Sequence, residues 1–146
     1  TNPTLSTLWN IAGALSLDPL ELFGGSRRPG GRGSQRMSQI LPVDDPIIEN
    51  DHFKYRLVIL NRPELAGVSE LYRLILKPGG ALISNPHERG ALEQMTILKG
   101  EVQVQCGDDK MRVAAGRTVR YAGDQPHAIS NAGRQNADVL LFVAFS

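Results

Sequence analysis

The chain has 146 residues, a formal net charge of +1 and a hydrophobic content of 41%. This length and composition predict about one globular domain with a core, and the overall charge does not require nucleic acid or a membrane as partner. The sequence has neither a signal-peptide pattern nor an apolar run of spanning length, so we expect a cytoplasmic protein, and its single cysteine excludes an internal disulfide framework.

The first 24 residues have a helical pattern. Asn2 and Pro3 suit the start of a helix, and a second short helix is predicted from Leu20 to Phe23, after Asp18 and Pro19. Two such helices cannot form a core alone, so we expect them to be the end of an incomplete domain. The apolar residues of the first helix recur at three- and four-residue spacing: they are Leu5, Leu8, Trp9, Ala12 and Leu15.

Residues 25–38 hold four arginines, many glycines and no acidic residue. Such a segment cannot bury apolar surface, so we predict a flexible linker. Its arginines favour a solvated basic tether over a nonspecific contact with DNA phosphates. The second domain is therefore predicted over residues 39–146.

After the linker the sequence is typical of β-structure. Glycine and proline turns, such as the one at 77–80, separate many short apolar runs. Many short strands at regular spacing predict a mainly β fold, either a barrel or a double-sheet jelly roll. The predicted strands are 52–60, 69–77, 81–85, 93–99, 101–106, 110–114, 117–122, 127–131 and 137–145.

Two of these strands place polar residues on an apolar face. Glu93 alternates with Met95 and Ile97, and His127 shares a face with Ile129. An uncompensated buried carboxylate is costly, so we predict that Glu93 and His127, together with His87 from the loop before Glu93, bind a metal or a polar ligand.

Two histidines and a carboxylate suit zinc or non-haem iron(II) with open coordination positions. An alternative stays open in which His127 is a hydrogen-bonded turn residue and Glu93 lies at a solvated barrel mouth. The remaining histidine with no partner in the sequence, His52, is expected at the surface.

The N-terminal segment resembles a known DNA-binding family. Residues 2–12 and 20–23 are similar to the last two helices of the helix-turn-helix domain of the xenobiotic-response-element (XRE) type. In that family the recognition helix precedes the Asn-Pro-Thr segment. The resemblance therefore implies that the DNA-contacting residues lie in an N-terminal part absent from this chain, and that DNA is a partner of the complete protein.

The β-region resembles the cupin family, which forms a double-stranded β-helix, or jelly roll. Pro86 and Glu88 depart from the usual His-x-His pair of the first motif, and Ala122 and Asp124 replace the Pro and Gly of the second. The resemblance implies a divalent metal, zinc or else iron, nickel or manganese, held by His87, Glu93 and His127. The motif positions that match are Gly80, His87, Glu93, Gly100, Gly116, His127 and Asn131.

Within the cupins, the chain resembles transcriptional regulators of the sulfur-utilisation type. They share the pattern Ser-x-Pro-His-x-x-Gly-x-x-Glu, here 84–93, and a triplet of valine, arginine and an aromatic residue, here 119–121. The resemblance implies a cupin domain that senses a small effector, such as an amino acid or a sulfur metabolite. Arg120 would bind an effector carboxylate, although strand alternation also allows a surface position. The residues predicted to contact the effector are Arg120, Tyr121, Met95 and Ile129.

An enzymatic function is the alternative. The combination of helix-turn-helix and cupin domains also occurs in non-haem iron oxidoreductases such as the phosphonate epoxidase. The apolar residues predicted around the site favour ligand binding over oxygen chemistry, so we expect a regulator and not an enzyme.

The last predicted strand is apolar on both faces. Val139, Leu141 and Val143 alternate with Leu140 and Phe142. Such a strand is either central in its sheet or covered by a partner. Because helix-turn-helix regulators generally bind DNA as dimers, we predict a homodimer formed through the cupin domain.

Overall fold

The structure is a computed structural model that describes residues 14, 15, 37, 39 and 45–145. The two helices predicted within 1–24, the linker predicted over 25–38 and the start of the second domain at 39 therefore lie almost wholly outside the described residues. Within the described part, no helix is long and apolar enough to cross a membrane.

Short strands make up most of the described residues, with one 3-10 helix, Pro63–Leu65, between the second and third strands. The strands are β1 Ile47–Asn50, β2 Tyr55–Ile59, β3 Ser69–Leu76, β4 Ala81–Ser84, β5 Leu92–Lys99, β6 Glu101–Cys106, β7 Asp109–Ala114, β8 Thr118–Ala122, β9 His127–Asn131 and β10 Ala137–Ala144.

The strands form two antiparallel sheets. The larger sheet has the order β1-β2-β3-β10-β5-β8, and the smaller has the order β4-β9-β6-β7. The chain crosses repeatedly between the sheets, since β3 pairs with β10 and β4 pairs with β9. This arrangement confirms the mainly β double-sheet fold predicted from the sequence.

The core lies between the inner faces of the two sheets and is built in layers across β3, β10 and β5. At one end, Glu70 pairs with Val143, which pairs with Glu93. The next layer is Tyr72, Leu141 and Met95, and the layer after it is Leu74, Val139 and Ile97. All nine of these side chains are buried. Polar groups are therefore concentrated in the end layer, and this is where the candidate site lies.

The sequence prediction was wrong at the start of the barrel. Strand β1 was not predicted, and β2 begins at Tyr55 instead of residue 52. Residues 51–54 form a turn, in which Lys54 has a φ of 54° and the Phe53 N–H donates to Asn50 Oδ1 at 2.9 Å. The predicted strand was too long because the apolar Phe53 was included in it. His52 lies in the turn and is exposed, as expected.

The apolar strand β10 is central in the larger sheet. It pairs with β3 on one side and with β5 on the other. The first of the two explanations for its apolar character therefore holds. Its outward face nevertheless keeps Phe142 40% exposed, and the predicted homodimer stays a prediction.

Candidate metal and effector site

The candidate site is built from two strands and one loop at the polar end of the barrel. Glu93 is the second residue of β5, and His127 is the first residue of β9. His87 lies between β4 and β5, in residues 85–91, here called the His87 loop. The two strands carry Glu93 and His127 on their inner faces, where strand alternation predicted them.

The three predicted ligands lie close together. Their ligand atoms are all within 4.8 Å of one another. Glu93 Oε1 is 2.6 Å from His87 Nε2 and 3.0 Å from His127 Nε2. Their side chains are only 7%, 3% and 1% exposed for His87, Glu93 and His127 respectively. One carboxylate oxygen thus faces two imidazoles in a site that is shielded from solvent.

Tyr121 completes the surroundings of the carboxylate. It pairs with Glu93 across β8 and β5, and its phenol donates a hydrogen bond of 2.5 Å to Glu93 Oε2. Its ring also lies near the His127 ring, at a centroid distance of 5.6 Å. The second carboxylate oxygen is therefore held by Tyr121, while Oε1 is directed towards the histidines.

The electrostatics of the site favour an ionised carboxylate. Burial alone would raise the pKa of Glu93, but interactions with His127, His87 and Tyr121 outweigh it and lower the pKa from 4.5 to about 2. Burial lowers the pKa of His127, but Glu93 and the carbonyl of Gln125 outweigh burial and raise it above 6.5. For Tyr121, burial and the Glu93 charge together raise the pKa well above 10.0.

The donors fit a divalent cation. His127 Nδ1 lies 2.7 Å from the carbonyl oxygen of Gln125, the second contact that orients metal-binding histidines. With a proton on Nδ1, a neutral His127 presents the Nε2 lone pair to the carboxylate. Nε2 is buried and has no aligned hydrogen-bond partner among the described residues. This arrangement requires either a protonated imidazole or a cation, and two nitrogens and one oxygen suit zinc or iron, nickel and manganese.

The structure separates the four residues predicted to contact an effector. Met95 and Ile129 are 0% and 1% exposed, each two residues from a candidate ligand on the same inner face. Tyr121 contacts Glu93 directly. Arg120 is exposed on the outer face, where its Nε donates to Gln94 Oε1 at 2.6 Å. The structure does not bring Arg120 to the site, because adjacent strand residues point to opposite faces.

Sequence reasoning missed three residues at this end of the barrel. Glu70 is 1% exposed, and Tyr72 donates to its Oε2 at 2.5 Å. Its alternation with Tyr72 and Leu74 was a signal that could have identified it. Gly123 and Asp124, just after β8, contact the His87 loop through hydrogen bonds, and no periodic signal marks them.

Comparison with known proteins agrees with the fold. Residues 72–143 match the family model of the cupin domain. This part of the chain is a cupin domain. The matched span runs from β3 into β10 and includes all three candidate ligands. The cupin assignment made from the sequence motifs is therefore confirmed.

One curated relative is a regulator. The chain is 26% identical over 135 residues to the HTH-type transcriptional regulator SutR of Escherichia coli strain K12, across 92% of this chain and 68% of that protein. The similarity thus extends well beyond the cupin domain. It confirms the resemblance to helix-turn-helix regulators that the sequence indicated.

The same fold occurs in solved structures of proteins that are described as having different functions. The cupin domain of an XRE-family transcriptional regulator from Enterobacter cloacae has a TM-score of 0.60 and 24% identity, covering 64% of this chain and 98% of that one. A protein from Thermotoga maritima described as a predicted oxalate decarboxylase has a TM-score of 0.56 and 20% identity, covering 63% and 81%. The fold alone therefore does not decide between regulator and enzyme.

Proposed function

We propose that the chain is part of a cytoplasmic transcriptional regulator whose cupin domain binds a small-molecule effector at His87, Glu93 and His127, with a divalent metal between them. The observation that carries this proposal is the convergence of three buried ligand atoms within 4.8 Å of one another. The similarity to SutR over 92% of the chain supports the regulatory context.

The site suits an effector with a metal-binding group. A bound divalent metal would supply open coordination positions for a carboxylate, amine or thiolate of the effector. Met95 and Ile129 are buried apolar side chains that make the surroundings of the ligands hydrophobic. This combination favours a small molecule with one coordinating end and one apolar part, as in an amino acid or a sulfur metabolite.

Regulation requires that the effector bind two states of the protein with different affinities. The DNA-binding function belongs to the helix-turn-helix part, whose recognition helix we expect outside this chain. We propose that the cupin domains form a homodimer, so that effector binding can alter the relative orientation of two DNA-binding domains.

Metal binding is the first test. The freshly purified protein is assayed by elemental analysis, stripped with a chelator and titrated with zinc, manganese, nickel and iron(II) by calorimetry. We expect one divalent metal per chain, and we expect Glu93→Ala and His127→Ala to abolish it, because each removes a buried ligand atom. His52→Ala is the matched control, since His52 is an exposed turn histidine.

The effector is then tested with the metal-loaded protein. Thermal shift against amino acids and thiol compounds should identify a ligand that stabilises the parent but not His127→Ala. If both site variants bind metal and effector as the parent does, the site lies elsewhere and the proposal is wrong.

An oxidoreductase is the second candidate. The specific observation in its favour is the donor set, since two histidines and one carboxylate with open positions are characteristic of non-haem iron(II) oxygenases. The fold shared with the Thermotoga maritima protein described as a predicted oxalate decarboxylase is compatible with this candidate function. Oxygen uptake by the iron(II)-loaded protein, well above that of His127→Ala, would favour the enzyme over the regulator.

A further inference from the structure

We propose that Gly123 is a positioning residue for the His87 and Glu93 side chains, and that the segment after β8 determines how well the site binds metal. This inference rests on the proposed metal-binding function and extends it to residues that contact the ligands without coordinating. It starts from a difference between the two histidines. His127 lies on strand β9, whereas His87 lies in a loop.

Hydrogen bonds fasten the His87 loop to the segment after β8. The His87 N–H donates to the Gly123 carbonyl at 2.9 Å, and the Gly123 N–H donates to the Ala91 carbonyl at 2.8 Å. The Gly90 N–H donates to Asp124 Oδ2 at 2.9 Å. The bond between Gly123 and Ala91 continues the pairing of β5 with β8 beyond its last paired residues, Leu92 and Ala122, and the other two bonds attach the rest of the loop to the same segment. The loop that carries His87 is therefore held in place by Gly123 and Asp124.

Gly123 also leaves room for the ligands themselves. A Cβ atom at this position would lie 3.1 Å from His87 Cδ2 and 3.2 Å from Glu93 Cγ. Both contacts are tighter than ordinary carbon–carbon contacts of about 3.5–4.0 Å. Since His87 Nε2 and Glu93 Oε1 are only 2.6 Å apart, a methyl group at position 123 would displace one of two side chains whose separation determines the site.

The requirement for glycine is one of space and not of backbone conformation. Gly123 lacks the positive φ seen at Gly90, Gly100 and Gly116, so an alanine can adopt its backbone. We therefore expect the Gly123→Ala variant to fold, with the damage confined to the positions of His87 and Glu93. This separation makes the proposal testable apart from stability.

The first experiment compares zinc affinity by calorimetry in the full chain. Gly123→Ala should weaken binding by about tenfold to a hundredfold, the range found when groups that orient metal ligands are replaced. The matched control is Gly133→Ala, because Gly133 also lacks a positive φ and its Cβ would approach only Asn131 Oδ1, at 3.3 Å. An affinity of Gly123→Ala equal to that of the parent would overturn the proposal.

A double-mutant cycle separates positioning from general disruption. Replacing His87 by Ala removes the 3.1 Å contact but leaves the 3.2 Å approach to Glu93 Cγ, so in that background Gly123→Ala should cost clearly less affinity than it does in the parent. An equally large loss in both backgrounds would mean that the substitution does not act on His87, and would overturn the proposal. Asp124→Ala adds no volume but removes the bond from Gly90, and it should lower affinity in the parent more than in the His87→Ala background.

Histidine NMR distinguishes failure of this inference from failure of the proposed function. In metal-free protein, Gly123→Ala should shift the imidazole nitrogen and carbon resonances of His87, while Gly133→Ala should not. If the parent binds no metal but these resonances shift, the metal-binding function is wrong and the positioning role stands. If the resonances of His87 are unchanged in Gly123→Ala, the positioning role is wrong whatever the parent binds.

Discussion

Replacement of Glu93 by glutamine tests the electrostatic description of the site. The substitution keeps the shape of the side chain and an oxygen acceptor for Tyr121, but removes the buried negative charge. The carboxylate pKa falls from 4.5 to about 2 on folding. At about 1.36 kcal/mol for each tenfold change in an acid dissociation constant, this corresponds to roughly 3 kcal/mol in favour of the ionised form. Glu93 is only 3% exposed, so little solvent screening applies.

The sign of the effect predicts a specific pH dependence. A carboxyl group whose pKa is lowered by folding stabilises the protein above pH 4.5, and this contribution is lost as the pH falls towards about 2. Metal-free Glu93→Gln should therefore be about 3 kcal/mol less stable than the parent at pH 7. The difference in unfolding free energy should shrink to about half or less by pH 3, because the Glu93 carboxyl of the unfolded parent is then largely protonated while the folded one is still ionised.

Urea unfolding of the metal-free proteins at pH 7, 5 and 3 measures this difference. Glu101→Gln is the control, because Glu101 forms an ion pair with Arg112 at 3.4 Å in which both side chains are substantially exposed. It should change stability by less than about 1 kcal/mol. A Glu93→Gln difference that is equally small at pH 7, or that stays constant down to pH 3, would refute the reasoning.

Three further predictions concern the Tyr121 phenol, proton release from His127 on metal binding, and the predicted homodimer. Tyr121→Phe removes the hydrogen bond to Glu93 Oε2 and should weaken zinc binding about tenfold without unfolding the protein; an unchanged affinity by calorimetry would contradict the orienting role of Tyr121. Because the pKa of His127 is raised above 6.5, more than half of this imidazole is protonated at pH 6.5 and zinc must displace that proton. Zinc affinity should therefore rise with pH, and calorimetry at pH 6.5 in buffers of different ionisation enthalpy should detect proton release; release of no proton would argue against His127 as a ligand. Phe142 lies on the outer face of the larger sheet, and Phe142→Asp should convert the predicted dimer to a monomer in light scattering. The control Ile83→Asp, at an exposed position of the smaller sheet, should leave the dimer intact. A parent protein that is monomeric at micromolar concentration would contradict the predicted dimer.

The fold was predictable because its information is local and periodic. Several strands, such as β6, alternate apolar and polar residues, and glycine turns mark the ends of several strands. The same alternation identified Glu93 and His127, since a polar residue is conspicuous on an apolar face. Alternation did not predict β1, because Ile47 and Ile48 are adjacent apolar residues.

Features that depend on contacts between distant residues were not predictable from periodicity. The outward position of Arg120, by contrast, agrees with strand alternation, and only the family resemblance had suggested an effector contact. Periodicity did not identify Gly123. A glycine beside a turn is common in any sequence. Only the structure shows that His87 and Glu93 lie so close to Gly123 that a side chain there would contact them.

The layered interior has a consequence for how the protein can change over evolution. Acidic and imidazole groups occupy one end of the barrel, and the buried layers beyond it are mainly apolar, apart from groups such as the Asn131 amide, which donates to the Leu76 and Gln135 carbonyls. Substitutions at the polar end can therefore alter ligand preference while the opposite end continues to hold the sheets together. Because binding and core packing depend on different ends of the barrel, the ligand preference of the fold can change without a new hydrophobic core. The side chains that secure the sheets at that end are Leu74, Leu76, Ile97, Val102, Ala137 and Val139.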